Sequence, residues 1–349
     1  ARFDYGRQAC LDFHHAVETV VRPLYEQQLD ERRERLHLDR LRPWDLRVDW
    51  WSERPLKPFS GEADLIARTE ALFAGLHPRF AEVVRLLAQS GHLDLASRKN
   101  KAPGGYNYPL MESGVPFIFM NAADQHSDLK TMVHECGHAI HAVLAHACVP
   151  LAALRDVPSE VAELASMGME LLTLDRWGSF YDDPRDLARA QHQHLTGLVG
   201  LLPWIATVDA FQFWIYEHHE HSSAQRAEAW VSLYHRFHGS AVDWSGYDEW
   251  LRQSWQAQLH LYEVPFYYIE YGIAQLGALQ LWQRYRTAPR EALRDYQAAL
   301  SLGYTRTLPE LYEAAGIAFD FSPQRMEALF QDVGQAVAQT SQVLAGGPA

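Results

Sequence analysis

The sequence predicts a mainly α-helical protein with one small β-sheet, and three observations support this fold class. Apolar residues recur at three- and four-residue steps over residues 4–35, which is the spacing of one face of a helix. Residues 97–121 differ, because they contain several glycines and two short runs rich in aromatic and apolar side chains. After residue 121 the helical spacing returns and continues through most of the remaining chain.

The N-terminal region is expected to consist of helices joined by one irregular connection. In the first helix, Cys10, Phe13 and Val17 fall on a common face. Residues 41–61 are rich in Pro and Trp and predict a loop. Two further helices are expected between residues 62 and 91.

The small sheet is expected to be a hairpin-like pair of strands. Its two runs, at residues 106–110 and 116–120, are rich in aromatic and apolar side chains and are joined at residues 112–115. A strongly amphipathic helix is predicted next, over residues 127–147, with Ser127 as its N-cap.

Composition excludes several classes of protein. The chain has 349 residues, of which 48% are hydrophobic, and this is enough for a large packed core. Its net charge of -13 argues against a nucleic-acid-binding surface, which needs clustered Lys and Arg. No run of eighteen apolar residues occurs, so no membrane span is expected. The three cysteines are too few and too scattered for a disulfide framework, which favours a reducing cytoplasm.

The helix predicted at residues 127–147 contains the motif H-E-x-x-H at His134, Glu135 and His138. Residues i and i+4 lie on the same face of a helix, so both imidazoles can bind one ion. Glu135 follows the first histidine and can reach a water molecule on that ion without binding the ion itself. Because the motif lies in the middle of an amphipathic helix, it predicts a catalytic zinc site.

A catalytic zinc site needs a third protein ligand, and the sequence offers several. The longer motif of the metzincins is excluded, because it requires glycine and histidine where this chain has His141 and Leu144. His141 shares the face of the motif but would strain a tetrahedral site, so we expect it to pack beside the metal. The next predicted helix carries Glu160, Glu163 and Glu170 on one face, and helical geometry does not choose between them.

The two helices together resemble a known family. The motif H-E-x-G-H-A-x-H, followed by E-x-x-S-x-x-x-E, looks like the thimet oligopeptidase and oligoendopeptidase F family of zinc peptidases. The resemblance implies a multi-helical zincin-type metallopeptidase with one Zn²⁺ ion and the small sheet beside the active-site helix. It also implies that the Glu opening the second motif is the third ligand. That residue is Glu163, with Ser166 and Glu170 completing the motif and Glu160 as the alternative ligand.

Residues 260–282 extend the resemblance, because family members carry a histidine followed by a cluster of tyrosines in the corresponding segment. The family's residues there contact substrate and stabilise the tetrahedral intermediate. The matching side chains are His260, Tyr268 and Tyr271, and Tyr267 is a close alternative. Core packing is the competing interpretation, since aromatic residues at helical spacing are common in protein interiors.

The resemblance implies an endopeptidase that hydrolyses internal bonds of short peptides. Glu135 would take a proton from a zinc-activated water and deliver it to the leaving amine. The edge of the small sheet would bind the extended substrate by main-chain hydrogen bonds. Two alternatives remain: a carboxypeptidase or dipeptidyl carboxypeptidase on the same scaffold, and a catalytically silent fragment that binds zinc or peptide.

The resemblance also bears on the organisation of the chain. Residues 1–95 are expected to form a helical region that leads into a catalytic core at residues 96–349, as one continuous unit. Family members usually carry a further helical region upstream. We therefore expect a fragment or a processed product, which associates with that region or with a second copy of itself.

The remaining histidines and cysteines are not expected to bind metal. His192 and His194 fall on opposite sides of a predicted helix and suit no single ion. The histidines within residues 218–221 predict a polar helix face. Cys136 and Cys148 are expected to pack in the interior.

Overall fold

The computed structural model describes residues 4–52 and 54–346 and confirms the mainly helical fold class. A π-helical turn at Val17–Val21 joins the first two helices, and short 3-10 helices lie at Pro43–Arg47, Ala152–Leu154, Leu174–Ser179 and Ser254–Ala257. The α-helices are α1 (Arg7–Ala16), α2 (Arg22–Arg35), α3 (Gly61–Leu76), α4 (Pro78–Gln89), α5 (His126–Cys148), α6 (Ser159–Thr173), α7 (Pro184–Glu217), α8 (Ser223–His238), α9 (Asp248–Gln253), α10 (His260–Glu263), α11 (Ile269–Thr287), α12 (Pro289–Ser301), α13 (Leu308–Ala314) and α14 (Pro323–Leu344).

The sheet has one strand more than the sequence predicted. Its strands are β1 (Leu93–Ala96), β2 (Tyr106–Tyr108) and β3 (Phe117–Ala122), in the order β1-β3-β2. The expected pair is confirmed, because β2 runs antiparallel to β3. Strand β1 pairs parallel with β3 and escaped prediction, since it is four residues long and its partner is distant in sequence.

Helix α5 begins earlier than the sequence predicted. Its N-cap is Gln125, so the assignment of Ser127 to that position is wrong. The physical reason is the side chain of Asp128, whose carboxylate accepts hydrogen bonds from the backbone N–H groups of Ala123 at 2.7 Å and Gln125 at 2.8 Å. These bonds fix the chain ahead of Ser127 and start the helix at His126.

The largest cluster of buried apolar side chains extends from Cys10 in α1 to Ala336 in α14. Members of this cluster come from both sides of residue 95. The expected division of the chain into a helical region (1–95) and a catalytic core (96–349) stays a prediction. Helix α7 is long and apolar enough to cross a membrane by length and composition alone. However, 67% of its apolar window is buried inside the protein, and core helices share this property.

Candidate metal centre

Helices α5 and α6 touch at a glycine, and this contact brings the two sequence motifs together. A Cβ atom built on Gly137 would lie 2.7 Å from both the carbonyl oxygen of Ala165 and the Cα of Ser166. Real Cβ atoms essentially never approach other heavy atoms below 3.0 Å, so only glycine allows the two backbones to come this close. Gly137 therefore sets the separation between the histidines of α5 and the glutamates of α6.

Three side chains converge next to this contact at distances that suit one metal ion. Glu163 Oε2 lies 3.2 Å from His134 Nε2 and 3.6 Å from His138 Nε2. All three ligand atoms lie within 4.8 Å of one another. A tetrahedral zinc ion with bonds of about 2.0–2.1 Å holds its ligand atoms roughly 3.4 Å apart. The observed spacing therefore fits zinc.

The ligand side chains are oriented by further residues of α6. His134 Nδ1 lies 2.7 Å from Glu170 Oε1, so a proton on Nδ1 would be shared with this carboxylate and Nε2 would face the metal position. Ser166 Oγ donates a hydrogen bond to Glu163 Oε2 at 2.8 Å. The E-x-x-S-x-x-x-E motif thus supplies one potential ligand and two residues that hold the ligands in place.

The electrostatics of this cluster favour a cation. Burial lowers the pKa of His134, but the hydrogen bonds and charges of Glu163 and Glu170 outweigh burial and raise the pKa to about 10. The two carboxylates therefore stabilise a positive charge on this ring. A divalent cation at Nε2 would experience the same negative potential. Two imidazoles and one carboxylate are also a ligand set that catalytic zinc uses.

Glu135 lies beside these side chains in a shared cleft. It is buried, with 6% exposure, and lines a cavity of about 390 Å³ together with His134, His138 and Glu163. Burial raises the pKa of Glu135 to about 7, although the charge of His134 opposes this effect. A carboxyl group that titrates near neutrality can both accept and return a proton.

A backbone group that the sequence could not reveal also contacts Glu135. The main chain of Asn107, in β2, lies close enough to the Glu135 carboxylate to oppose the rise in its pKa. This contact joins the sheet to helix α5, as the predicted location of the sheet implied. No sequence pattern identifies such a contact, because every residue except proline carries the same N–H group.

The structure groups His260 with the tyrosines of the third segment. Its ring centroid lies 5.5 Å from that of Tyr267, 5.0 Å from that of Tyr268 and 5.9 Å from that of Tyr271. Burial lowers the pKa of His260, so its ring is largely neutral at neutral pH. His260 therefore packs against the tyrosine cluster and is not among the described residues that line the cleft.

Tyr271 is the member of this cluster that lines the cleft. Burial and the nearby charge of Glu163 raise the pKa of its hydroxyl, which therefore stays protonated. Tyr268 differs, since it is not among the lining residues of the cleft and packs against both the main apolar cluster and a second cluster that contains Trp230 and Trp255. Burial raises the pKa of Tyr268. The geometry thus distinguishes two tyrosines that the sequence left equivalent.

The alternative ligands lie outside the group of three ligand atoms. Glu160 accepts a hydrogen bond from the Tyr5 hydroxyl at 2.8 Å and is not part of that group. His141 lines the cleft and is buried, and within the described parts of the chain its Nε2 has no hydrogen-bond partner. Burial lowers the pKa of His141 to about 3, so the ring is neutral. His141 therefore packs beside the triad, whose three ligand atoms group without it.

The two cysteines of α5 differ in environment. Cys136 is 1% exposed and packs in the core, as predicted. Cys148 is exposed, so its predicted burial is wrong. The reason is position, because Cys148 is the last residue of α5 and lies, with Ala147, on an exposed end of the helix before the buried Val149. His192 and His194 are both buried in α7, and neither belongs to the metal cluster.

The far wall of the cleft is held by an arginine that the sequence analysis missed. Arg155 donates hydrogen bonds to the carbonyl oxygen of Met111 at 3.1 Å and to His146 Nδ1 at 2.8 Å. Gly114 packs so closely on His146 that a Cβ there would lie 2.3 Å from the ring. These contacts fix the β2–β3 connection over one end of the cleft. A single arginine outside any motif gave no sequence signal for this role.

Comparison with known proteins agrees with this geometry. The chain is 26% identical to the oligoendopeptidase F homolog of Mycoplasma pneumoniae over 304 residues, covering 81% of this chain and 48% of that protein. It is 23% identical to oligopeptidase PepF of Bacillus subtilis, covering 93% of this chain and 50% of that protein. A solved structure of Pz peptidase A with an inhibitor superposes with a TM-score of 0.88 and 27% identity, over 97% of this chain and 59% of that one.

The two motifs lie on α5 and α6, and these two helices pack against each other. The sequence model that describes peptidase family M3 matches residues 1–329, and the chain belongs to that family. Its resemblance to the oligoendopeptidase F group is thereby confirmed. The chain spans about half the length of the curated relatives that it matches.

Proposed function

We propose that this chain carries the catalytic machinery of a zinc-dependent oligoendopeptidase. One observation carries the proposal: Glu135 and the side chains of His134, His138 and Glu163 converge in one cleft. A purely structural metal site has no use for a buried carboxyl group that titrates near neutrality beside the ligands. Two relatives are named as an oligoendopeptidase F homolog and an oligopeptidase, and these names support short peptides as the substrate class.

The residues of the cleft divide the chemistry between them. His134, His138 and Glu163 would hold the zinc ion, which when bound polarises the scissile carbonyl and lowers the pKa of water. The Glu135 carboxylate takes the proton of the attacking water and delivers it to the leaving amine. The Tyr271 hydroxyl donates a hydrogen bond to the carbonyl oxygen as negative charge develops there. His260 and Tyr268 support Tyr271 through ring contacts.

The substrate backbone would lie along β2. All three residues of β2 pair with β3, and β2 is the edge strand on that side of the sheet. Tyr106 and Asn107 also line the cleft, so this edge of the sheet borders the metal position. The contact of Asn107 with Glu135 supports this placement. An extended peptide could therefore add to this edge with its scissile bond at the metal.

One observation favours an exopeptidase as the second candidate. Arg155 lines the cleft, and its acceptors among the described residues are carbonyl oxygens and a histidine nitrogen, not carboxylates. A guanidinium at the end of a cleft could bind the terminal carboxylate of a peptide. However, Arg155 already donates to the carbonyl oxygens of Val149, Met111 and Pro150. These bonds favour a role in holding the cleft wall, and hence the endopeptidase.

Glu135→Gln tests the proposed base directly. The variant should bind one zinc ion per chain, because Glu135 is not a ligand, and should lose about 10²–10⁴-fold in peptide hydrolysis. Glu112→Gln, a change in the connection between β2 and β3, is the matched control and should keep full activity. A Glu135→Gln variant with wild-type activity would contradict the proposal.

A cytoplasmic location, and association with an upstream region or a second copy, stay predictions.

A further inference from the structure

The carboxylate that orients His134 has a second oxygen, which faces helix α7. Glu170 Oε1 lies 2.7 Å from His134 Nδ1, and Glu170 Oε2 lies 3.7 Å from Nδ1 of His194. Glu170 is 7% exposed and His194 is 4% exposed, so water from outside has little access to either. His194 had no role in the sequence analysis, because its spacing to His192 suits no metal ion.

His194 is a buried imidazole whose polar atoms are unsatisfied in the described parts of the chain. Neither of its ring nitrogens has a hydrogen-bond partner there. Burial lowers the pKa of His194 to about 4, although the charge of Glu170 opposes this shift. The ring is therefore neutral near pH 7 and carries one N–H group. Buried polar groups normally have partners, so this N–H needs an acceptor.

The surroundings hold the ring of His194 facing Glu170. Its centroid lies 5.3 Å from that of Trp177, a residue with no measurable exposure. The Trp177 indole in turn donates to Thr173 Oγ1 at 3.3 Å, one helical turn after Glu170. His126 packs against Trp177 at 5.5 Å. The imidazole is thus confined by large buried side chains.

We propose that His194 is a positioning residue for the metal centre: its Nδ1–H binds Glu170 Oε2 and fixes the carboxylate that orients His134. A shift of about 0.8 Å would bring the pair to an ordinary hydrogen-bond distance. The resulting chain of contacts runs from the metal through His134 and Glu170 to His194. The inference rests on the proposed function, because it requires a metal at His134 Nε2.

Loss of this anchor should weaken metal binding. With no partner for Oε2, the Glu170 carboxylate could rotate and hold His134 less firmly. Removing outer contacts of metal ligands typically costs 10–100-fold in metal affinity. In this chain of contacts His194 is one contact further from the ion than Glu170. We therefore expect about a tenfold loss of metal affinity, at the lower end of this range.

Two amide substitutions separate the two nitrogens of His194. The amide nitrogen of His194→Asn takes the place of Nδ1 and keeps the donor to Glu170, whereas that of His194→Gln takes the place of Nε2. Zinc affinity is measured by competition with a coloured chelator, and folding is checked by thermal unfolding. We expect His194→Gln to bind zinc about tenfold more weakly than wild type, and His194→Asn to remain within about threefold.

His192→Gln is the matched control, because His192 lies in the same helix, is equally buried and contacts Thr340 instead. It should bind zinc as tightly as the wild-type chain. The Glu170→Gln background provides a second test, in which His194→Gln should cause no further loss of affinity. Unchanged zinc affinity in His194→Gln would overturn the inference. So would a His194→Gln substitution that lowers zinc affinity equally in the wild-type and the Glu170→Gln backgrounds. A wild-type chain that binds no zinc would overturn the proposed function as well.

Discussion

Gly137→Ala tests the idea that a backbone contact between α5 and α6 sets the geometry of the metal centre. The new Cβ would lie 2.7 Å from two backbone atoms of α6, whereas ordinary van der Waals contact is 3.4–4 Å. The helices would have to separate locally by roughly 0.7 Å, the difference between these distances. The spacings of 3.2 Å and 3.6 Å from Glu163 to the two histidines would then grow by a similar amount. Both spacings would then exceed the roughly 3.4 Å between the ligand atoms of a tetrahedral zinc ion.

Two opposing terms determine the effect of Gly137→Ala on stability. Replacing glycine by alanine inside a helix normally stabilises a protein by about 1 kcal/mol. Overpacking a core costs about 1–3 kcal/mol, and here the clashing atoms belong to the backbone and cannot rotate away. We therefore expect a net loss of up to about 2 kcal/mol in the free energy of unfolding, and zinc binding weakened by about 10–100-fold.

Urea unfolding of the zinc-free chain and chelator competition measure these two quantities separately. Gly334→Ala is the matched control, because Gly334 lies inside α14 and a Cβ there would meet nothing within 4 Å. The control should unfold at the same or a higher urea concentration and bind zinc normally. The reasoning would be refuted by a Gly137→Ala variant that matches this control in both measurements.

The remaining predictions concern the ligands, the tyrosines and acid stability. Glu163→Ala should lose bound zinc, as measured by elemental analysis, while Glu160→Gln should retain it; the reverse result would make Glu160 the ligand. Tyr271→Phe should lower kcat by about 10²-fold, while Tyr268→Phe should change it little; equal losses would contradict the assignment. Burial lowers the pKa of His238 to about 4 in the folded protein. As the pH falls, the His238 side chain is therefore protonated in the unfolded chain before it is protonated in the folded chain. Stability should therefore fall between about pH 6.5 and 4, by up to about 1.4 kcal/mol per pH unit, and His238→Gln should reduce this slope in urea unfolding; an unchanged slope would contradict it.

The sequence predicted those features of the site that depend on local helical geometry. His134, Glu135 and His138 lie within five residues, so the i, i+4 rule alone brings both imidazoles to one face of α5. The choice between Glu160 and Glu163 could not be made in this way. Both residues lie on α6 three positions apart, and their environments depend on how that helix crosses its neighbours.

Features formed by distant segments could not be predicted for the same reason. The choice of Tyr271 over Tyr268 and Tyr267 depends on the packing of α11 against α6, which no local pattern encodes. The contact of Asn107 with Glu135 is made by a backbone group, which is the same in almost every residue. His194 reaches Glu170 from a helix that begins more than ten residues after α6 ends. These relations arise from tertiary packing.

The most direct test of the central claim is hydrolysis of a mixed library of short, end-blocked peptides by this chain, followed by mass spectrometry. The account predicts cleavage at internal bonds, loss of that cleavage when a chelator removes the metal, and its recovery when zinc is restored. Cleavage that persists in the metal-free protein would contradict the account. So would a folded, zinc-loaded chain that leaves every end-blocked peptide intact.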